Sequence, residues 1–149
     1  MPLLSASDQD KLRAEFAKMT RSVRLLFFTQ TFGCETCPQA RQILDELPPL
    51  SDRIAIDELN PVLDKEQAAQ YGIDRAPSIA LVYQDAEGGV QKDSRIRFAG
   101  TPAGYEFISL VQAVLLVGGG RESTLTDESL KQLAAIDRPI ALQVFTTPT

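Results

Sequence analysis

Cys34 and Cys37, separated by Glu35-Thr36, are the residues of this 149-residue chain best suited to chemistry. The chain has no His, so a Ser-His-Asp triad, a Cys-His thiol protease and any His-bearing metal site all lack their imidazole. A close Cys pair then leaves three uses: metal ligation, a structural staple or thiol–disulfide exchange. A zinc site takes four ligands, and with only two Cys present, metal or iron–sulfur binding would require a dimer bridged through the CxxC. A structural disulfide over so short a loop closes little chain entropy. Exchange fits the position better. Free backbone N–H groups and the positive end of the macrodipole at a helix start favour a thiolate at Cys34, the expected nucleophile. Cys37, one turn in and shielded by its own helix, suits attack on a mixed disulfide. Glu35 opposes the thiolate, so the Cys34 thiol is expected to be only modestly acidified and the disulfide not strongly oxidising.

The surroundings agree with a reducing compartment. Fifteen Lys plus Arg against 20 Asp plus Glu give a formal charge of −5, which argues against a phosphate-tracking surface and hence against nucleic acid. The most apolar stretch, 111–117, is interrupted by Gln112 and stops at Gly118-Gly119-Gly120, well short of the roughly 20 residues a membrane span needs. The N-terminus has no basic region and turns acidic at Asp8, unlike a signal peptide. The cytoplasm is the expected location, where a CxxC is more often catalytic or metal-binding than a staple.

The elements that must position the pair read as alternating helix and strand. Ser7-Asp8-Gln9-Asp10 has the form of a capping box, and Leu12, Phe16 and Met19 continue a helix over 8–19. Residues 23–29 form a nearly continuous apolar run suited to a central strand covered on both faces. After the Thr31-Phe32-Gly33 turn, the CxxC opens a helix whose stripe is Ala40, Ile43, Leu44 and Leu47 and which Pro48-Pro49 ends. A short strand at 54–56 follows, then a helix with Asn60 as N-cap and Pro61 at its first position, closed by Gly72. Strands at 78–83 and 94–98 suit an antiparallel hairpin turning at Glu87-Gly88-Gly89, with Arg95 and Arg97 on one side and Ile96 and Phe98 on the other. Phe107, Leu110, Val111, Val114 and Leu115 stripe a closing helix. One unit is complete by about residue 118.

The remainder repeats the beginning. Residues 133–146 lie over 16–29 at a constant offset of 117 with five identities in 14 positions: Ala17/Ala134, Arg21/Arg138, Leu25/Leu142, Phe28/Phe145 and Thr29/Thr146. Four further pairs keep apolar character, so a helix after Thr126 and a strand at 140–145 are expected to open a second, incomplete unit. That strand would leave an apolar edge, expected to pair with the first unit or with another chain as a homodimer.

Cys34-Glu35-Thr36-Cys37, Tyr71-Gly72-Ile73 leading to Ala76-Pro77, and Phe98-Ala99-Gly100-Thr101-Pro102-Ala103-Gly104 together resemble the glutaredoxin-like protein disulfide oxidoreductases, which are built from two tandem thioredoxin folds. The resemblance covers the whole chain, with Thr147-Pro148-Thr149 matching the segment that precedes the family's second CxxC. It implies an α/β thioredoxin fold: a central four-stranded mixed sheet flanked by helices, with an extra N-terminal helix and a C-terminal helix-strand tail. It implies a redox unit over 1–118 and the opening of a second over 119–149. It also implies a thiol–disulfide oxidoreductase acting on protein disulfides, with no cofactor beyond the Cys34–Cys37 disulfide and an electron donor of thioredoxin-reductase type. The pattern gives Pro77 a cis bond from Ala76, beside the CxxC, where Ala76 would pair with an extended substrate segment. Gly100 would let a substrate backbone approach. A plain trans turn at Pro77 and a simple strand-end turn at Gly100 are the alternatives. Thioredoxins proper hold a buried Asp six residues before the first Cys; that position is Phe28 here. Asp57 or Glu58 would then relay the proton of Cys37, unless both are exposed acids capping a loop. A docking domain whose redox pair is dispensable is the remaining reading.

Overall fold

A computed structural model describes residues 2–85 and 88–147. Four strands form one mixed sheet in the order β2-β1-β3-β4: β1 is Ser22–Phe28, β2 Ile54–Leu59, β3 Ser78–Gln84 and β4 Lys92–Ala99. β1 runs parallel to β2 and antiparallel to β3, which runs antiparallel to β4. The continuous apolar run of β1 has its cause in this position, because a strand between two neighbours and covered on both faces presents no side to water.

Alternation along β1 divides the core between the two faces. Val23, Leu25 and Phe27 join Ile79 and Leu81 of β3 on one side. Three helices cover that side: α1 (Ala6–Phe16), α2 (Cys37–Leu44) and α4 (Tyr105–Val117) supply Phe16, Ala40, Leu44, Leu110 and Val114 to the same cluster. Leu26 and Phe28 face the other way with Ala80 and Val82, where α3 (Lys65–Gln70) contributes Ala68. The α1 cap is made by Ser5, whose hydroxyl accepts from the Asp8 N–H, two residues before the expected box.

Two expectations are corrected here. Asn60 caps a turn and not the helix: its Oδ1 accepts from the N–H groups of Val62 and Leu63, and α3 starts only at Lys65. An Asx turn closes on the nearest amides and so competes with helix initiation at the same residue. The even alternation over 94–98 is broken by a bulge, since Ala80 pairs with Arg97 while Val82 pairs with Asp93. Arg95 takes a positive φ of 65°, and the Ser94 hydroxyl donates to the Leu81 carbonyl and accepts from the Ile96 N–H. The expected hairpin turn falls partly on Glu87, outside the described residues.

The bulge places Asp93 and Arg97 together, 2.6 Å apart in an ion pair, with the guanidinium stacked 5.4 Å from the Tyr71 ring centroid. The hydrogen bond from Arg97 holds the Asp93 carboxyl below its ordinary value. A depressed carboxyl stabilises the fold above its unfolded pKa, and that contribution is lost as pH falls through the folded value. Asp93→Asn is therefore expected to lower stability by about 0.5–1 kcal/mol at pH 7. Urea denaturation should show the deficit vanishing in strong acid.

The Gly118–Gly120 segment fixes the exit from α4. The Gly118 carbonyl accepts from the N–H groups of Thr20 and Arg21, and a Cβ on Gly119 would lie 2.4 Å from the Thr20 hydroxyl. Beyond it, α5 spans Asp127–Ala134, capped by Thr126. The strand expected at 140–145 is not formed, because its backbone has no ladder partner among the described residues. Its apolar pattern is nonetheless uncovered: Leu142 is 90% exposed and Phe145 89%, while their matched residues Leu25 and Phe28 are fully buried. No helix of the described residues is long and apolar enough to cross a membrane.

Candidate functional site

Cys34 and Cys37 form a disulfide at the entry to α2, with their Cα atoms 5.5 Å apart. The chain reaches them from the end of β1, through a turn where Gly33 adopts a φ of 75°. Cys37 is the first residue of α2, and Cys34 stands just before the helix N-terminus. Pro38, at the second helical position, removes only an N–H that has no partner within a helix. The exposures differ as the helix geometry requires: Cys34 is half-buried and Cys37 only 2% exposed.

The start of β3 and the end of β4 close the other side of the site. The Ala76–Pro77 bond is cis. Pro77 is buried and Ala76 half-buried, and the Pro77 carbonyl accepts from the Gly100 N–H at 2.8 Å. Gly100 sits at a φ of 109°, and a Cβ built there meets nothing within 4 Å. The residue keeps the backbone in a conformation closed to other side chains and leaves the space over it open. The Thr101 hydroxyl lies 3.4 Å from the Thr36 carbonyl and so ties this segment to the CxxC turn. Thr101 is a site residue that sequence reasoning misses, although its position directly after Gly100 is an available signal.

The two acids singled out in the sequence are separated by the sheet. Asp57 is paired across β1 with Leu26, on the α3 face, and its Oδ1 accepts from Arg24 at 2.7 Å. Glu58 is paired with Phe27 on the opposite face, and its carboxylate is ion-paired with Arg41 of α2. Glu58 and Arg41 line a groove of about 480 Å³ together with Cys37, Pro38 and Asn60, whereas Asp57 does not reach it. Phe28, at the position where thioredoxins proper hold an Asp, is fully buried. Among the described residues no cluster of three or more His, Cys, Asp or Glu is placed to hold a metal ion.

This arrangement has counterparts. No protein-family profile matches the chain. The chain is 33% identical over 146 residues to the F-type component of alkyl hydroperoxide reductase from Xanthomonas campestris pv. phaseoli, covering 96% of this chain and 23% of that protein. It is 29% identical over 79 residues to a probable thioredoxin of Methanothermobacter thermautotrophicus, covering 52% of this chain and 80% of the thioredoxin. Among solved structures, the NTD_N/C domain of alkylhydroperoxide reductase AhpF from Enterococcus faecalis superposes with a TM-score of 0.77 at 28% identity, over 91% of this chain and 62% of that one. A protein disulfide oxidoreductase from Aeropyrum pernix shares the fold, with a TM-score of 0.70 at 23% identity over 88% of this chain and 54% of its own. The chain thus spans about a quarter of the Xanthomonas reductase component it matches. Neither a metal-bridged dimer nor a docking domain with a dispensable redox pair draws support from these relatives. By its fold, its relatives and the CxxC at the entry to α2, the chain is a thioredoxin-fold unit of the glutaredoxin- and thioredoxin-like disulfide oxidoreductase kind.

Proposed function

We propose that the chain exchanges its Cys34–Cys37 disulfide with disulfides of protein substrates, Cys34 attacking first and Cys37 resolving the mixed disulfide. The observation that carries this reading is the unequal exposure of two bonded sulfurs at a helix entry, with Cys34 reachable and Cys37 enclosed. The outward sulfur meets the partner, the enclosed one completes the exchange, and no cofactor beyond the pair is needed. An extended substrate segment would run past Ala76 and Pro77 and over the open space at Gly100, forming backbone hydrogen bonds as an added strand does. The names of the hydroperoxide reductase relatives support a reductase-type electron donor, and a reducing compartment such as the cytoplasm suits a pair that must cycle through its dithiol.

The tail is read as the opening helix and strand of a second thioredoxin-like unit, 119–149, following a redox unit of 1–118. The support is the match of exposed tail positions to core positions of β1, which makes the tail a surface waiting for strands of another unit or another chain. Insulin reduction with a dithiol supplied tests the activity: the full chain should accelerate it, and the chain with both cysteines changed to Ser should not. Equal rates for the two proteins would refute the reading.

A further inference from the structure

Arg41 is not explained by packing or by the exchange chemistry as described. It stands four residues after Cys37, hence on the same face of α2 one turn on, and its side chain lines the groove beside that sulfur. We propose that Arg41 is a positioning charge that readies Cys37 for the resolving step, and that Glu58 holds that charge in check. The inference deepens the exchange reading and rests on it.

The need arises from burial. A thiol enclosed by apolar surroundings parts with its proton reluctantly, yet only a thiolate attacks a disulfide. No His exists in the chain to take the proton, and Phe28 fills the position where thioredoxins hold an acid. A guanidinium, charged at every working pH, favours the anion beside it. In the step itself the Cys37 thiol releases its proton to water in the groove. The Cys37 thiolate attacks Cys34 Sγ, the Cys34–Cys37 bond forms, and the bond from Cys34 to the partner breaks. The partner leaves as a thiolate carrying the electron pair.

The other charges around Cys37 are few. Asp45, on α2, lies 3.4 Å from Arg41. Glu58, from β2, is ion-paired with the same guanidinium. Asp64 lines the groove, but its Oδ2 is committed to the Asn60 N–H at 2.7 Å, and Glu35 is exposed in the CxxC turn. Glu58 is itself about half exposed. A carboxylate committed to a guanidinium is a poor proton acceptor, so its effect on Cys37 is to weaken the field of Arg41.

The two variants therefore move the same quantity in opposite directions. Reduced full-length chain mixed rapidly with Ellman's reagent should release two thionitrobenzoate anions, first by Cys34 attack and then by Cys37 resolution. Arg41→Gln is expected to slow the second phase about tenfold at pH 7 and to raise the midpoint of its pH profile by about one unit, with Arg41→Lys restoring most of the loss. Glu58→Gln should lower that midpoint and speed the second phase. An unchanged pH profile in Arg41→Gln overturns the proposal, as does a Glu58→Gln variant slowed like Arg41→Gln, which would make Glu58 the proton acceptor. Circular dichroism confirms that each variant is folded. Failure of the exchange reading is separately visible, because the wild-type chain would then show no second phase and no insulin reduction.

Discussion

Cys34→Ser is expected to reduce disulfide exchange at least a thousandfold, to the rate of the dithiol alone, whereas Cys37→Ser should retain the first attack and stall there. The asymmetry follows from the placement of the two sulfurs. Cys34 precedes α2 and is half-buried, so the partner disulfide meets it without any rearrangement of the helix. Cys37 is 2% exposed and lies where only a group already bonded to Cys34 brings a disulfide within reach. A Ser hydroxyl at position 34 is not ionised at neutral pH and provides no nucleophile. With Ser at position 37 the mixed disulfide has no internal thiol to displace the partner, so it accumulates. Non-reducing gel electrophoresis after incubation with a disulfide-bearing protein should show a covalent adduct of Cys37→Ser and none of Cys34→Ser. Adducts formed equally by both variants would mean that the buried sulfur is as reachable as the outer one.

The largest effect on stability is expected at Phe27. This side chain is fully buried at the centre of β1, between Ile79 of β3 and Glu58 of β2, on the face that carries α2 and α4. Truncation removes a ring from a close-packed layer that the sheet cannot collapse around, so Phe27→Ala should cost about 3–5 kcal/mol. Against a typical domain stability of about 5–15 kcal/mol that is a substantial share. Val144 stands opposite Phe27 in the internal repeat but is 85% exposed, so Val144→Ala should change stability by less than about 0.5 kcal/mol. Chemical denaturation of the two variants checks both numbers. A large loss at Val144 would show that the tail is packed in solution.

The same contrast explains what is legible in the sequence. The apolar run of β1 and the CxxC at a helix entry are readable because residue type and spacing are local properties, and the four-stranded mixed sheet follows from their order. The tail carries the right alternation for a strand, but a strand also requires a neighbour, which a pattern does not supply. Asn60 is misplaced by its sequence pattern because the residue that caps a helix also closes an Asx turn, and the choice depends on which amides lie nearest. The bulge at Ser94–Ile96 has no sequence signal, since Arg95 adopts its positive φ without being Gly. Glu58 and Asp57 look equivalent as neighbours in the chain. Their separation arises from strand alternation, which directs one toward α2 and the other toward α3. Arg41 gains significance only when the parallel pairing of β1 with β2 brings Glu58 beside α2.

The central claim is that one pair of sulfurs on this chain carries two electrons to a protein disulfide. Counting thiols in a single turnover tests it most directly. Fully reduced chain is mixed with an equimolar disulfide protein such as insulin, quenched with an alkylating agent, and each component is weighed by mass spectrometry. Alkylation at Cys34 and Cys37 is predicted to disappear together as two alkylated thiols appear on the substrate for each chain oxidised. Cysteines that remain fully alkylated after prolonged incubation, with no thiol gained by the substrate, would contradict it.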